Sequence, residues 1–270
     1  MFLINKLKNL VRKSRYNKRL STFSKPEYTK DENYETVKQL REDGIFKKEN
    51  FYESSNEAKE LLNHYEKNIS DEKVKEFINK HSNGNIYLED GKTKSKRSYK
   101  LKITELFKEN QLIDFANQKY LLDNIEQYFG LKPQIREINV QVDFKNKFFN
   151  NPLESQVFHR DYDDIKLIKL FYYLTDVSEN NGPFQFIKKS HQHPWHIPYE
   201  NQEKTNNYLS NSKQIYSCTG KKGAIILADT NGFHRGLELK DGYRVLMYAT
   251  YMSKKPFKGS LKSIITYHNR

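Results

Sequence analysis

The sequence predicts an α+β protein, a layer of helices followed by an antiparallel β core of the jelly-roll or barrel kind. Three observations predict it. Apolar residues recur at helical spacing over 56–80 and 111–129. From residue 135 the period drops to two, with Ile138, Val140, Val142 and Phe144 on one face. Short runs rich in Tyr, Phe, Ile and Val then follow, separated by Gly, Pro, Asn and Asp clusters, a pattern that suits closed or double-layered antiparallel sheets.

Taken in order, the chain begins with Leu3, Ile4, Leu7, Leu10 and Val11 at helical spacing, amid Lys6, Lys8, Arg12, Lys13, Arg15, Lys18 and Arg19, and its first acid is Glu27. Three readings stay open for this segment: peripheral contact of residues 1–20 with an anionic membrane surface, a presequence, or a terminal helix docked on its own domain. Residues 20–50 carry turn signals (Ser24-Lys25-Pro26, Asp43-Gly44) and little periodicity. The expected organisation is a basic, partly helical extension over 1–50 and one domain over 51–270.

The helix at 56–80 presents Ala58, Leu61, Leu62, Tyr65, Ile69, Val74, Phe77 and Ile78, and the turn-forming His81-Ser82-Asn83-Gly84-Asn85 ends it. Residues 90–97 form a basic loop. The helix at 111–129 carries Leu112, Phe115, Ala116, Tyr120, Leu121, Ile125 and Phe129 and closes at Gly130. Strands are expected at 135–144, 165–175, 184–187, 214–218, 224–228 and 243–252.

Of the 270 residues 36% are hydrophobic and 14% aromatic, enough for one substantial core. A mean hydropathy of −0.93 requires a heavily solvated surface. The net charge of +13 invites a nucleic-acid partner. Its lysines, however, are scattered among glutamates and asparagines with no zinc-finger or RNA-binding signature, so nucleic acid is not the expected partner. The charge is equally compatible with an anionic small-molecule substrate. Cys218 is the single cysteine, so no intrachain disulfide forms, and a reducing, cytoplasmic compartment is expected. No run approaches the ~18 apolar residues of a membrane-spanning helix.

Phe158-His159-Arg160-Asp161 carries the chemistry. In an extended segment residues i and i+2 share a face, so His159 and Asp161 address one point in space. His234, in Asp229-Thr230-Asn231-Gly232-Phe233-His234, supplies a third donor from another strand. Two imidazoles and one carboxylate on one octahedral face leave open positions, the arrangement of non-haem Fe(II) oxygenases. A bidentate 2-oxo acid and then O2 would take those positions. Its distal carboxylate needs a fixed cation. Arg244, on the run Tyr243-Arg244-Val245-Leu246-Met247-Tyr248, has the planar fork that suits a carboxylate.

The stretch from about 155 to 252 resembles the phytanoyl-CoA dioxygenase family. Its landmarks are His159-Arg160-Asp161, the turn Leu174-Thr175-Asp176 through Asn181-Gly182-Pro183-Phe184, Lys189-Ser190-His191, Gly223 to Asp229 with His234, and Gly242-Tyr243-Arg244. The resemblance implies a double-stranded β-helix (jelly-roll, cupin-like), Fe(II), 2-oxoglutarate and O2, release of succinate and CO2, and hydroxylation of an unactivated C–H bond. Two departures stand out. Members often place a hydroxyl residue two past the distal His, where this chain has Gly236, so help for Arg244 falls to Thr230 or a tyrosine. Many have Trp on the strand after His-x-Asp, where this chain offers Phe171 or a neighbouring tyrosine. Asp161 argues against the halogenases, which vacate that ligand position.

Plainer readings compete at each position: His159 as a strand residue bonded to backbone, Asp161 in a turn, His234 on a surface loop, Arg244 paired with an acid. His191, His193 and His196 around Trp195 suggest a second metal site, but Pro194 breaks their spacing and no acid joins them. At the level of function, the rivals are a non-catalytic β-barrel binding protein and a membrane-surface or nucleic-acid adaptor acting through the basic N-terminus.

Overall fold

The computed structural model describes residues 33–82, 99–145, 154–192 and 213–254, with the strand pair at 87–89 and 92–94 and isolated positions at 11, 14, 17, 18, 20, 21, 152 and 209. Most of the amphipathic N-terminal segment, and His193, Trp195 and His196, lie outside the described residues, as do residues 90, 91 and 95–97 of the expected basic loop, whose residues 92–94 form a strand instead.

Five helices are described: α1 (Tyr34–Glu42), α2 (Asn56–Asn68), α3 (Asp71–Ser82), α4 (Glu109–Asn117) and α5 (Lys119–Phe129). Each expected long helix is therefore two. The first breaks at Ile69-Ser70, where Ser70 Oγ accepts the Lys73 N–H at 3.2 Å as a new N-terminal cap. The second breaks at Gln118, whose backbone is extended. Its side chain ties the break down, donating to Phe115 O at 2.9 Å and accepting from Ser55 Oγ at 2.8 Å. Among the described residues no helix is long and apolar enough to cross a membrane.

The strands are β1 (Ile45–Lys48), β2 (Tyr87–Glu89), β3 (Lys92–Lys94), β4 (Lys100–Lys102), β5 (Gln134–Phe144), β6 (Ile168–Tyr173), β7 (Phe184–Ile187), β8 (Ile215–Cys218), β9 (Ile225–Asp229), β10 (His234–Gly236) and β11 (Tyr243–Met252). One antiparallel sheet runs β1-β9-β6-β11-β5-β4, a second β10-β7-β8, and β2 pairs β3. Residues 34–48, expected as irregular, hold α1 and β1. Ile45 pairs Ala228, so the sheet begins before residue 50.

The period of two divides the large sheet into two faces. Ile138, Val140 and Val142 of β5, Ile168, Leu170 and Tyr172 of β6, and Val245, Met247 and Tyr251 of β11 pack against Leu61, Phe115, Ile125 and Phe129 of the helices. The opposite face packs Tyr173, Ile226, Ala228 and Leu246 on Phe184, Phe186 and Cys218 of the small sheet. The result is three layers: helices, large sheet, small sheet. Toward β5 the inward positions turn polar, and that is where the pocket lies.

Candidate metal centre

His159 and His234 are brought together by backbone. Each N–H donates to the other's carbonyl at 3.0 Å, and Asp161 N–H donates to Thr230 O at 2.8 Å. The turn that presents His234 is anchored in turn. Asn231 Nδ2 donates to Ile165 O at 2.8 Å, and Tyr128 OH donates to the Asp229 carboxylate at 2.5 Å. Gly232 is required there, because a Cβ would run into the Phe186 ring and stand 2.9 Å from Ser190 Oγ. That hydroxyl accepts the Phe233 N–H at 2.7 Å and donates to Ile187 O at 2.6 Å.

Among the described residues, His159, Asp161 and His234 place three donor atoms within 4.8 Å of one another. The imidazole centroids are 4.3 Å apart, and His234 Nε2 lies 3.7 Å from Asp161 Oδ2. His159 Nδ1 faces Val157 O at 2.8 Å and His234 Nδ1 faces Gly232 O at 2.9 Å. A carbonyl only accepts, so each Nδ1 carries the hydrogen and each Nε2 keeps its lone pair, as metal-binding histidines require.

Burial lowers both imidazole pKa values, that of His159 against the pull of the Val157 carbonyl, that of His234 to about 3. Both rings are therefore neutral near pH 7. Burial by itself would raise the Asp161 carboxyl, but Lys169 and His234 hold it well below the ordinary carboxylate range. Two neutral imidazoles and one ionised carboxylate are the donor set a divalent iron takes, so the residues present fit the metal.

The pocket beside these residues is walled by the inward faces of β5, β6 and β11. Phe171 lines it, its ring 4.7 Å from Phe184, and Arg244 lines it from β11. Arg244 is buried and bonded within the chain: its Nε donates to Asp143 Oδ2 at 3.0 Å, its Nη2 to the same oxygen, and its Nη1 to Gly182 O. Thr230 is fully buried and its backbone serves Asp161; it is not among the residues lining the pocket. Gly236 leaves the hydroxyl position empty of side chain, 3.6 Å from Arg244 Nη2 to where a Cβ would stand.

Sequence reasoning missed Asp143, Gln141, Glu137 and Lys169, all of which line the pocket. The signal was the other half of an alternation already read. In β5, Ile138, Val140, Val142 and Phe144 face the helices, so Glu137, Gln141 and Asp143 face inward. Lys169 shares its face with Phe171, two residues on. Its Nζ is 2.7 Å from Asp161 Oδ2. His191 instead packs under the turn after α1, with Nε2 at 3.1 Å from Arg41 O. Cys218 is buried, which pushes its thiol pKa up and leaves it without nucleophilic character at neutral pH.

Solved structures share this architecture. HygX from Streptomyces hygroscopicus, with nickel, 2-oxoglutarate and hygromycin B bound, is 14% identical, covers 84% of this chain and 88% of its own, and has a TM-score of 0.55. EctD from S. alaskensis with bound Fe is 17% identical over 85% of this chain and 80% of its own, with a TM-score of 0.55. The epimerase SnoN, in complex with Fe3+, alpha ketoglutarate and nogalamycin RO, is 14% identical over 82% and 83%, with a TM-score of 0.53. These likenesses establish the double-stranded β-helix fold. No curated protein sequence matches the chain significantly. The family model of phytanoyl-CoA dioxygenase matches residues 40–240, close to three quarters of the chain. The chain therefore belongs to the phytanoyl-CoA dioxygenase family, and its class is that of the 2-oxoglutarate-dependent non-haem iron oxygenases.

Proposed function

We propose that the protein hydroxylates a small organic substrate, with His159, Asp161 and His234 holding iron(II) and Arg244 holding the distal carboxylate of 2-oxoglutarate. The observation that carries this reading is the pair of Nδ1–carbonyl hydrogen bonds, which leave both Nε2 lone pairs available, with one donor atom from each histidine and from Asp161 lying within 4.8 Å of one another. With O2, the bound iron and 2-oxoglutarate supply the oxidation that converts C–H to C–OH as succinate and CO2 leave.

The chain's own residues bind, orient and exclude water. The backbone pair between His159 and His234 fixes the spacing of two donors before any ligand enters. Phe171, Phe184 and Leu246 give the inner wall an apolar surface that keeps the reacting C–H away from solvent. Thr230, through its carbonyl, fixes the segment that carries Asp161. Lys100 on the pocket wall favours a substrate with an anionic substituent. In the similar structures the bound molecules are small: hygromycin B in HygX, 5-hydroxyectoine in EctD.

The test is an anaerobic titration of the metal-free protein with Fe(II) and then 2-oxoglutarate, following the weak visible metal-to-ligand band. The band is expected in the wild type and lost in His159→Ala. Its absence from folded, iron-loaded wild-type protein would overturn the reading in favour of a non-catalytic binding protein of the same fold.

A further inference from the structure

Two cations that line the pocket beside the metal centre are paired with carboxylates of the chain. Lys169 Nζ is 2.7 Å from Asp161 Oδ2, and Arg244 is paired with Asp143. The second pair is the unusual one. Arg244 and Asp143 stand directly opposite on β11 and β5, and Lys100 stands opposite Asp143 on its other side, on β4. Both members of the Arg244–Asp143 pair are buried, at 5% and 3% exposure. Burying a carboxylate is costly unless it is paired and hydrogen-bonded, and Asp143 is both: Oδ1 accepts from Gln141 Nε2 at 2.8 Å while Oδ2 takes Arg244.

A guanidinium has two edges that match a carboxylate. The side edge presents Nε–H and one Nη–H; the end edge presents one hydrogen from each Nη. Asp143 takes Nε and Nη2, which closes the side edge. Nη1 also donates to Gly182 O, so a ligand carboxylate is left with at most one hydrogen on each Nη, at the end edge. It also meets a cation whose charge is already balanced, and a second carboxylate a few ångströms away.

We propose that Asp143 is an internal competitor for Arg244 that sets the affinity of the pocket for the distal carboxylate of the co-substrate, holding it weaker than the arginine alone would give. This rests on the reading of Arg244 above. Gly236 acts in the same direction, since it offers no hydroxyl to a carboxylate at Arg244. Two like charges a few ångströms apart inside a protein oppose each other by enough to change an affinity by about tenfold or more. Turnover would then track the concentration of 2-oxoglutarate rather than saturate at low levels of it.

The experiment compares wild type with Asp143→Asn, using calorimetric titration of the Fe(II)-loaded, anaerobic protein with 2-oxoglutarate and with 2-oxovalerate, which lacks the distal carboxylate. Asn keeps the shape and, with the Gln141 amide turned over, the hydrogen bond between them, while removing the charge. The expected result is binding of 2-oxoglutarate tighter by about tenfold with 2-oxovalerate unchanged. Asp143→Ser is the second variant and is expected to shift 2-oxoglutarate in the same direction. A variant that only damaged the fold would lose affinity, so a gain cannot arise from misfolding. Weaker or unchanged 2-oxoglutarate binding in both folded variants would overturn the proposal, as would an equal gain for 2-oxovalerate. A wild type that binds neither acid would overturn the reading of the site itself.

Discussion

Three tyrosines that the core excludes from water keep their hydroxyls bonded to backbone carbonyls in other elements. Tyr172 on β6 donates to Ala58 O in α2 at 2.8 Å, Tyr173 to Cys218 O on β8 at 2.6 Å, and Tyr251 on β11 to Ala116 O in α4 at 2.6 Å. Alternation on β6 sends Tyr172 to the helices and Tyr173 to the small sheet, so adjacent residues tie the three layers together. An unmade bond at such depth would cost the desolvation of the hydroxyl, which explains why each ring finds a partner. Phe at position 251 keeps the ring and removes only the bond. Tyr251→Phe is expected to lower stability by about 1 kcal/mol, read as a lower urea midpoint with an unchanged slope. Iron binding should be untouched, because Tyr251 points away from the pocket. A loss of iron affinity in that variant would show that the helical layer and the metal centre are coupled.

At the scale of elements, the turn between β9 and β10 does the most for the site. It delivers Asp229 to Tyr128, Asn231 to Ile165 and His234 to His159 within six residues. Gly232→Ala puts a methyl group against the buried Phe186 ring, and overpacking of this kind costs about 1–3 kcal/mol. Since the turn carries His234, the variant is also expected to bind iron(II) more weakly, which a competitive chelator titration measures. Retained affinity would mean that the ring yields without moving the turn.

The legibility of the fold follows from what each element buries. Strands β5 and β11 stand out because one face of each is apolar at four or more alternate positions. The helix breaks at Ile69-Ser70 and Gln118 did not, since Ile69 is itself buried and the stripe runs on across the break. Strand β1 is only Ile45-Phe46-Lys47-Lys48, too short to show a period, and its place is set by pairing with β9. His159, Asp161 and His234, the proposed donors, stood out as a set because a metal site would fix residue type and spacing together. Asp143 and Lys169 did not: a single charge on an inward face has no motif, and only the register of β5 against β11 brings Asp143 to Arg244.

For the molecule as a whole, this site makes stability depend on pH before any metal is bound. His234 titrates near 6.5 in an unfolded chain, and burial lowers it to about 3 in the fold; His159 shifts the same way. Between those values the unfolded chain holds protons that the folded chain refuses, so stability rises with pH through that window and falls on acidification. Asp161 adds to the same trend lower down. Its folded pKa is depressed, so its contribution is present above the usual carboxylate value and is lost below it. The slope is at most about 1.4 kcal/mol per pH unit for each excluded proton. The metal-free protein should therefore lose stability steadily from pH 7 to pH 4, measured as urea midpoints. His234→Gln should remove about half of the slope between pH 6.5 and 5, where the two histidines dominate. Iron affinity of the folded protein should persist to lower pH than the ordinary histidine range, because burial keeps protons off both imidazoles. A wild-type slope that the substitution leaves intact would place the excluded protons on other groups, and the two neutral imidazoles would lose their support.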